Sequence, residues 1–343
     1  MRRFAVVLWV AAFLAAAGCN SPDPGTDPGL AGGEFAKGAD VSWLTEMESD
    51  GCKFYARSGG EMDCLALLRE LGVNAVRLRV WVDPAGGWCG KEDVVAKACR
   101  AKAWGMRVMI DFHYSDSWAD PGKQNKPAAW KDLSFSQLRQ AVTDHTTTVL
   151  TALRDAGVTP EWIQIGNETT GGMLWPDGQN YTDLGFSRYV QLHNAGYSAA
   201  KDVFPHAAVV IHVDNGQDAA TLDWFFRNCA QHGARYDLIG LSLYPDAGAW
   251  RQYTQQFMAN VNSLYLKYEK ACILCEVGMN WMEEVACNSF LTALIAASQD
   301  ELAGRFLGIF YWEPEGYQAW SGYGKSAFDN GGHPTMALSA FTN

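Results

Sequence analysis

The chain contains the run Trp162-Ile163-Gln164-Ile165-Gly166-Asn167-Glu168, in which a short apolar segment ends in an amide and a carboxylate. Amphipathic helical patterns lie on either side of it, over Phe135–Ala156 and Phe186–Val203. A short apolar run between helical patterns is typical of a buried strand in a parallel sheet. The run therefore predicts one unit of a repeating β-then-α fold.

Similar runs recur along the chain from Phe35 onward. The predicted strands are Phe35–Val41, Ala75–Trp81, Arg107–His113, Trp162–Asn167, Ala208–Val213, Leu238–Tyr244, Ala271–Glu276 and Leu307–Trp312. Two further helical patterns cover Glu61–Leu71, which Gly72 stops, and Asp93–Trp104. Because these β-then-α units contain no GxGxxG phosphate turn, the sequence favours an α/β fold of one (β/α)8 TIM barrel over a doubly wound sheet.

Polar and aromatic residues gather at the ends of the predicted strands, where a barrel of this class carries its chemistry. They are Asp40, Arg77, Trp81, Asp111, His113, Asn167, Glu168, His212, Asp214, Tyr244, Glu276 and Trp312. Strands often finish in a polar residue, but a purely structural barrel has no need of carboxylates, imidazoles, an arginine, a phenol and indoles together. We therefore expect an enzyme.

Glu168 and Glu276 end the fourth and seventh predicted strands, which lie across a barrel mouth from each other. A glycosidic bond breaks through an oxocarbenium-like state, so one carboxylic acid protonates the leaving oxygen while a second carboxylate attacks or supports the anomeric carbon. These strands can bring the two carboxylates to about 5 Å, the separation found in retaining enzymes. The pair predicts hydrolysis of a sugar linkage.

Longer runs are more specific than a pair of strand ends. They are Gly38-Ala39-Asp40, Val76–Pro84 (VRLRVWVDP), Asp111–Pro121 (DFHYSDSWADP), Ile165–Glu168 (IGNE), Leu174-Trp175-Pro176, His212–Gly216 (HVDNG), Leu243-Tyr244-Pro245 and Phe310–Pro314 (FYWEP). Together they resemble glycoside hydrolase family 53, from Phe35 to the C-terminus. The resemblance implies a retaining endo-β-1,4-galactanase that cleaves pectic galactan or arabinogalactan through a covalent galactosyl-enzyme.

The resemblance also implies roles for residues of the site. Glu168 would be the general acid/base and Glu276 the nucleophile, with Asn167 holding the sugar 2-hydroxyl. Arg77 and Tyr244 would flank Glu276. An arginine beside the nucleophile keeps it ionised, whereas burial keeps the proton on Glu168, so the two environments separate the roles.

Other strand-end residues have less defined roles. We expect His113 and His212 to be hydrogen-bond partners in the site, with scaffolding as the alternative, because both acid/base roles are already filled. For Asp40, Asp111 and Asp214, direct substrate contact and scaffolding both stay open.

An endo-acting enzyme needs several flat apolar faces along an open groove, and tryptophan supplies them. The candidates at strand ends or in the following loops are Trp81, Trp118, Trp175, Trp250, Trp281, Trp312 and Trp320. Trp312 is the expected platform beneath the cleaved sugar. For Trp118, Trp250 and Trp281, packing of their own loops is an equal alternative.

Composition limits the substrate class. The 343 residues carry a formal net charge of −11. Binding of a polyanion relies on patches of lysine and arginine, which the sequence lacks, so nucleic acid is excluded as a partner. Neutral polymers remain.

The N-terminus is predicted to be a targeting segment. Arg2 and Arg3 precede an apolar run over Phe4–Ala17 that is too short to span a membrane comfortably. Residues 1–19 resemble a lipoprotein signal in which Cys19 becomes lipidated, with a plain secretory signal as the alternative. Residues 20–34 predict a flexible tether and 35–343 the catalytic domain. The expected product is an exported monomer, anchored at the bacterial outer membrane and facing the cell surface or the periplasm.

Export bears on the eight other cysteines, whose even number favours disulfides. Cys52 with Cys64 and Cys89 with Cys99 are the most plausible pairs. Zinc binding at Cys272-x-x-Cys275 is disfavoured, because strand alternation points these two side chains in different directions.

No cofactor and no required metal are predicted. Some bacterial members of the family carry calcium between the loops after strands seven and eight. Here the loop after strand seven offers Glu283, Glu284 and Asn288 but no dense set of oxygen ligands.

Three functions stay open from the sequence. The first is cleavage of internal β-1,4-galactosidic bonds. The second is another retaining activity of the large (β/α)8 clan to which that family belongs, such as β-mannanase or cellulase. The third is a non-catalytic glycan-binding lipoprotein. A binding protein has no need of paired strand-end carboxylates, which counts against the third.

Overall fold

The computed structural model describes residues 33–342, in which eight parallel strands close into a barrel. The strands are β1 (Ala36–Asp40), β2 (Ala75–Val80), β3 (Arg107–Phe112), β4 (Trp162–Ile165), β5 (Ala208–Val213), β6 (Leu238–Leu243), β7 (Cys272–Val277) and β8 (Phe306–Trp312). Each strand pairs with its neighbours in sequence, and β8 pairs with β1. The predicted (β/α)8 barrel is confirmed.

Helices follow the strands and cover the outside of the barrel. They are the short helix Leu44–Ser49 after β1, and α1 (Cys64–Glu70), α2 (Lys91–Ala103), α3 (Phe135–Asp155), α4 (Asp183–Val203), α5 (Ala219–His232), α6 (Trp250–Tyr268) and α7 (Glu284–Gln299). After β8, the short helix Gln318–Ser321 and the 3-10 segment Ala337–Thr342 complete the described chain.

The sequence placed the start of the first helix too early, at Glu61. Glu61–Met62 pairs in an antiparallel hairpin with Phe54–Tyr55, and α1 begins only at Cys64. The Asp63 side chain accepts a hydrogen bond from the backbone N–H of Ala66, which caps the helix there. Pairing of Glu61–Met62 in this short hairpin therefore replaces the first turn of the predicted helix.

The apolar core has two layers. The larger one lies between the strands and the helices. The smaller one fills the barrel near the amino ends of the strands, with Trp162 and Phe310 as its largest members. Their rings meet edge to face, with centroids 5.7 Å apart. Because this end of the barrel is filled, the functional groups are left to the carboxyl ends.

The expected disulfides are wrong: the eight cysteines of residues 33–342 are all free thiols. Cys64 is fully buried at the start of α1, whereas Cys52 is only half-buried. The Cys89 thiol lies 3.6 Å from the Ser42 carbonyl oxygen, and Cys99 packs at the edge of the outer core. The members of each expected pair therefore have different surroundings.

Cys272 and Cys275 lie in different layers of the core, as strand alternation predicted. Cys272 packs with the outer layer, and Cys275 packs inside the barrel. Within residues 33–342 no helix has the length and apolar character needed to cross a membrane.

Candidate active site

An open cavity of about 360 Å³ lies at the carboxyl ends of the strands. Its walls are formed by His113, Trp118, Ala119, Asp120, Asn167, Glu168, Tyr244, Glu276, Trp312, Tyr323 and Lys325. Both carboxylates of the predicted pair are among them. An oxygen of Glu168 and an oxygen of Glu276 lie within 4.8 Å of each other.

The two glutamates reach the cavity from different backbone settings. Glu276 lies inside β7. Glu168 follows β4 in a tight turn, where Gly166 has φ +85° and Glu168 itself has φ +46°. Left-handed backbone is uncommon for a residue other than glycine and is often found at functional sites. The turn directs Glu168 towards the barrel axis.

The Glu276 carboxylate is held from two sides. Arg77 Nη2 lies 3.2 Å from Oε1, and the Tyr244 hydroxyl donates a 2.9 Å hydrogen bond to Oε2. Burial raises the pKa of Glu276 to about 7, although Arg77 and Tyr244 both act to lower it. The carboxylate is therefore ready to ionise near neutral pH.

Within the described part of the chain, no arginine is in direct contact with the Glu168 carboxyl group. The carboxyl group accepts a 2.7 Å hydrogen bond from Ser242 Oγ. Burial, together with the nearby charge of Glu276, raises the pKa of Glu168 well above its usual value. Because the cationic Arg77 lies against Glu276, the proton of the pair resides on Glu168 and the negative charge on Glu276.

Arg77 is fully buried at the centre of a network beneath the cavity. Its guanidinium lies 2.7 Å from Asp40 and 2.8 Å from Asp111, and it donates a 2.8 Å hydrogen bond to Asn167 Oδ1. The Asn167 amide nitrogen donates in turn to the Ala119 carbonyl oxygen. These contacts fix Asn167 beside Glu168.

The two histidines differ in setting. His113 lines the cavity; its Nε2 lies 2.9 Å from Asp111, and its Nδ1 accepts from the Ala119 N–H. His212 is fully buried below the cavity, and burial lowers its pKa well below the usual value. His212 is therefore neutral.

Glu168, His212 and Glu276 also present donor atoms close enough together to be considered as a cation site. Both nitrogens of His212 already have partners: Nδ1 receives the Gln164 amide and the Glu168 N–H, and Nε2 contacts Ser242 Oγ. The histidine therefore has no free lone pair for a metal, and the trio fits a proton-handling site better.

Two of the predicted tryptophans line the cavity, and a third packs behind them. Trp118 and Trp312 line the cavity, with centroids 5.7 Å apart. Trp81 packs behind them, edge to face on Trp118 at 5.3 Å, and its indole N–H donates to His113 Nδ1. Trp43, which the sequence did not single out, packs against both cavity tryptophans and against Trp320.

The remaining sequence candidates are not among the residues that line the cavity. The Trp320 indole donates to Asp50, and the Trp175 indole donates to the Gly171 carbonyl oxygen. Asp214 accepts hydrogen bonds from Thr170 and Asn215.

Two other tryptophans that the sequence suggested as stacking faces make contacts outside the cavity. Trp250 is buried at the start of α6, and the Trp281 indole donates to Gln318.

Gln164, Ser242 and Lys325 belong to the site but were missed from the sequence. Gln164 and Ser242 are the polar residues of otherwise apolar strands, and that contrast was the available signal. Tyr323 and Lys325 lie in the loop after β8, which carries no periodic pattern.

Two of the residues considered for calcium hold the C-terminal segment instead. Glu284 accepts a hydrogen bond from the Met336 N–H, and Asn288 donates to the Met336 carbonyl oxygen. These contacts attach α7 to the segment that follows β8.

Comparisons with known proteins agree with this geometry. A family model described as Glycosyl hydrolase family 53 matches residues 36–290. A Bacillus subtilis (strain 168) protein named endo-beta-1,4-galactanase is 31% identical over 312 residues, which cover 82% of this chain and 70% of the relative. A Thermothelomyces thermophilus protein named arabinogalactan endo-beta-1,4-galactanase is 30% identical over 339 residues, covering 89% and 98%.

A solved structure is similar over nearly the whole barrel. The GH53 catalytic domain of Ignisphaera aggregans superimposes with a TM-score of 0.82 at 34% identity, covering 94% of this chain and 98% of that one.

Proposed function

The chain belongs to glycosyl hydrolase family 53, and on that premise we propose that it hydrolyses internal β-1,4-galactosidic bonds of pectic galactan and arabinogalactan with retention of configuration. The printed names of its relatives support the substrate. The observation that carries the mechanism is the close approach of Glu168 and Glu276, with oxygens within 4.8 Å. A retaining reaction needs closely spaced carboxyl groups, because the second one attacks the sugar directly.

The first chemical step uses both carboxyl groups at once. Glu276 attacks the anomeric carbon as a carboxylate, and Glu168 gives its proton to the leaving glycosidic oxygen. The bond to the leaving chain breaks as the bond to Glu276 forms. The product is a galactosyl ester of Glu276 and a shortened polymer with a free hydroxyl.

The second step reverses the roles. Glu168, now a carboxylate, removes a proton from water as the water attacks the anomeric carbon. The ester bond to Glu276 breaks, and the sugar leaves with its original configuration. Esterification removes the negative charge of Glu276 that raises the pKa of Glu168, which makes Glu168 easier to ionise at this stage.

Asn167 is the proposed ligand of the sugar 2-hydroxyl. Its Oδ1 accepts from Arg77 and one amide hydrogen donates to Ala119, which leaves the other amide hydrogen for the substrate. Trp312 and Trp118 are the proposed stacking faces, because both line the cavity.

The other residues proposed for the substrate site lie at the cavity wall, behind it or outside it. His113 is placed to contact sugar hydroxyls at the cavity wall, whereas Arg77, Asp111 and His212 support the groups that do so. Trp81 supports Trp118 from behind. Asp214, Trp175 and Trp320 are proposed for sugars beyond the cleaved bond, since they lie outside the cavity wall. No cofactor or metal enters the proposed reaction.

We also propose that the protein is exported. Residues 1–19 would be a lipoprotein signal, Cys19 the site of lipid attachment to the outer membrane, 20–34 the tether and 35–343 a monomeric catalytic domain. The first 32 residues lie outside the described part of the chain, so this proposal rests on the sequence pattern. Cys19→Ala should release the protein from membranes, which fractionation of the expressing cells would measure.

Incubation of the purified protein with linear β-1,4-galactan, β-mannan and soluble cellulose tests the function. Galactan should be cut internally into oligosaccharides of mixed length, while mannan and cellulose release no product. Proton NMR during the first turnovers should show the β-anomer before mutarotation, because two displacements restore the configuration. Cleavage of mannan with galactan untouched would replace the proposed substrate, and binding without product release would indicate the glycan-binding alternative.

A further inference from the structure

Ser242 lies between the two catalytic candidates. It occupies β6, where the pairing register with β7 shifts between Leu241 and Ser242. After this irregularity Ser242 lies opposite Glu276 in the sheet. Its hydroxyl nevertheless reaches the other carboxyl group, with Oγ 2.7 Å from Glu168 Oε1. The serine is therefore adjacent to the nucleophile and bonded to the acid/base.

The direction of the hydrogen bonds around Ser242 follows from its neighbour His212. His212 Nδ1 lies 3.0 Å from the Gln164 side-chain amide and 3.0 Å from Asn167 Oδ1, and the Glu168 backbone N–H points at it across 3.2 Å. Because a backbone N–H can only donate, Nδ1 is the acceptor, and the proton of the neutral ring resides on Nε2. Nε2 then donates across 3.0 Å to Ser242 Oγ, which leaves the serine hydroxyl free to donate to Glu168.

We propose that Ser242 is a positioning residue for Glu168: oriented by His212, its hydroxyl holds the acid/base in place and stabilises the ionised carboxylate that the second step requires. This inference rests on the proposed function. A hydrogen bond donated to a carboxylate favours the charged form, and its strength increases away from water.

Several charged groups also influence the pKa of Glu168. Glu276 and Asp214 carry negative charge that opposes ionisation, and Arg77 favours it. The neutral His212 and the Tyr244 phenol pack nearby, and Asp120 and Lys325 face the same cavity. Burial is the largest influence and raises the pKa of Glu168. Ser242 is the side chain that lowers the pKa of Glu168 through a hydrogen bond.

Ser242→Ala removes the donor and keeps a small side chain. In galactan hydrolysis the alkaline limb of kcat/KM reports loss of the proton from the acid, as the upper apparent pKa of the coupled pair. Without the hydrogen bond this limb should move upward by about half to one pH unit. Ser242→Thr retains the hydroxyl and should keep the limb close to its wild-type position.

The same ionisation can be followed without substrate. Carboxyl groups labelled with ¹³C in all glutamates are titrated by NMR, and Glu168→Gln identifies the Glu168 resonance by difference. The resonance should titrate at higher pH in Ser242→Ala than in the wild type. If Ser242→Ala fails to fold, Ser242→Cys provides a weaker donor and should give a smaller upward shift.

The role of Ser242 would be overturned if, in Ser242→Ala, the pKa of the Glu168 resonance and that of the alkaline limb of kcat/KM stayed unchanged or decreased. The same result in Ser242→Ala and Ser242→Thr would also overturn it, because the shift would then follow packing and not the hydroxyl. If the resonance shifts as expected while galactan is not cut, the proposed function fails and the hydrogen-bond role stands.

Discussion

Glu168 and Glu276 have the same side chain but different neighbours. Arg77 and Tyr244 contact the carboxylate of Glu276, and neither contacts that of Glu168. Among residues 33–342, Ser242 is the one side chain that donates a hydrogen bond to the Glu168 carboxyl group. The surroundings therefore favour the proton on Glu168 and the charge on Glu276, as the proposed roles of acid and nucleophile require.

Azide separates the two roles experimentally. Glu276→Ala should lose nearly all turnover on galactan, and on a substrate with a good leaving group added azide should restore some, giving a glycosyl azide of inverted configuration. Glu168→Ala should keep activity on that substrate, which needs no protonation, and azide should give the retained product. NMR of the isolated glycosyl azides gives the anomeric configuration of the product of each variant. Exchanged stereochemistry would reverse the assignment, and full galactan activity in either variant would reject the pair.

Glu315 is a buried acid outside the reaction. Its carboxyl group is fully buried beside that of Glu313. Burial raises its pKa well above 4.5, and the neighbouring charge of Glu313 acts in the same direction. Because the pKa is raised on folding, stability from this group is complete below pH 4.5 and is lost as pH rises towards the folded value.

Glu315→Gln keeps the shape and removes the ionisation. The variant should become more stable relative to the wild type as pH rises, by at most about 1.4 kcal/mol per pH unit above the unfolded pKa. Urea unfolding between pH 4 and pH 9 measures the difference. Glu70→Gln, on the exposed surface of α1, serves as the control and should show no such trend. A constant difference across this range would contradict the raised pKa of Glu315.

At the level of elements, closure of the barrel depends on the contact between β1 and β8. Gly38 of β1 pairs with Phe310 of β8. A Cβ atom at Gly38 would lie 2.3 Å from the Phe310 ring. The ring occupies the barrel interior against Trp162, so it has little room to move aside.

Gly38→Ala should therefore destabilise the fold by roughly 1–3 kcal/mol, as overpacking of a core usually does. Gly248→Ala, where a Cβ would meet nothing within 4 Å, is the matched control and should change stability by less than about 0.5 kcal/mol. Chemical denaturation measures the stability of Gly38→Ala, Gly248→Ala, Phe310→Leu and the double variant Gly38→Ala/Phe310→Leu. The double variant, compared with its two single variants, gives the coupling energy between Gly38 and Phe310. Additive effects of Gly38→Ala and Phe310→Leu would show that the contact is not the cause.

The strands could be predicted from the sequence because each is a compact apolar run. Their observed ends differ from the predictions by at most two residues, as for Trp162–Ile165. The predicted start of the first helix was wrong because Glu61–Met62 pairs in a short hairpin with Phe54–Tyr55. Strands of 2 residues are too short to show an alternating pattern of apolar and polar side chains.

The site could be predicted only in part, because several of its contacts join residues that are far apart in sequence. Glu168 and Glu276 were found because chemistry lies at the ends of barrel strands. Ser242 lies within β6 and reaches Glu168 only after the register shift. Lys325 reaches the cavity because the Tyr311 hydroxyl binds its carbonyl oxygen, a contact that the sequence does not encode locally.

At the level of the whole molecule, the free cysteines show that the barrel is held by its core. Six of the eight described cysteines are buried, and Cys52 and Cys99 are partly so. Burial raises the pKa of several of these thiols, which lowers the thiolate fraction that reacts with disulfides. A protein of this size buries enough surface to fold without covalent links.

We therefore expect a reducing agent to leave the melting temperature unchanged. Alkylation of the denatured, unreduced domain of residues 33–342 should label every cysteine, as counted by mass spectrometry. A disulfide contributes about 2–4 kcal/mol, so loss of one on reduction would lower the melting temperature measurably. A decrease on reduction, or unlabelled cysteines, would restore the disulfide hypothesis.

The common direction of the eight strands has a consequence for polymer access. The chain enters β1 at Ala36, at the amino ends of the strands, whereas the cavity opens at their carboxyl ends. Attachment through the residues before Ala36 would therefore join the domain at the end of the barrel opposite the cavity. A long polysaccharide could then lie across the open groove without meeting the point of attachment.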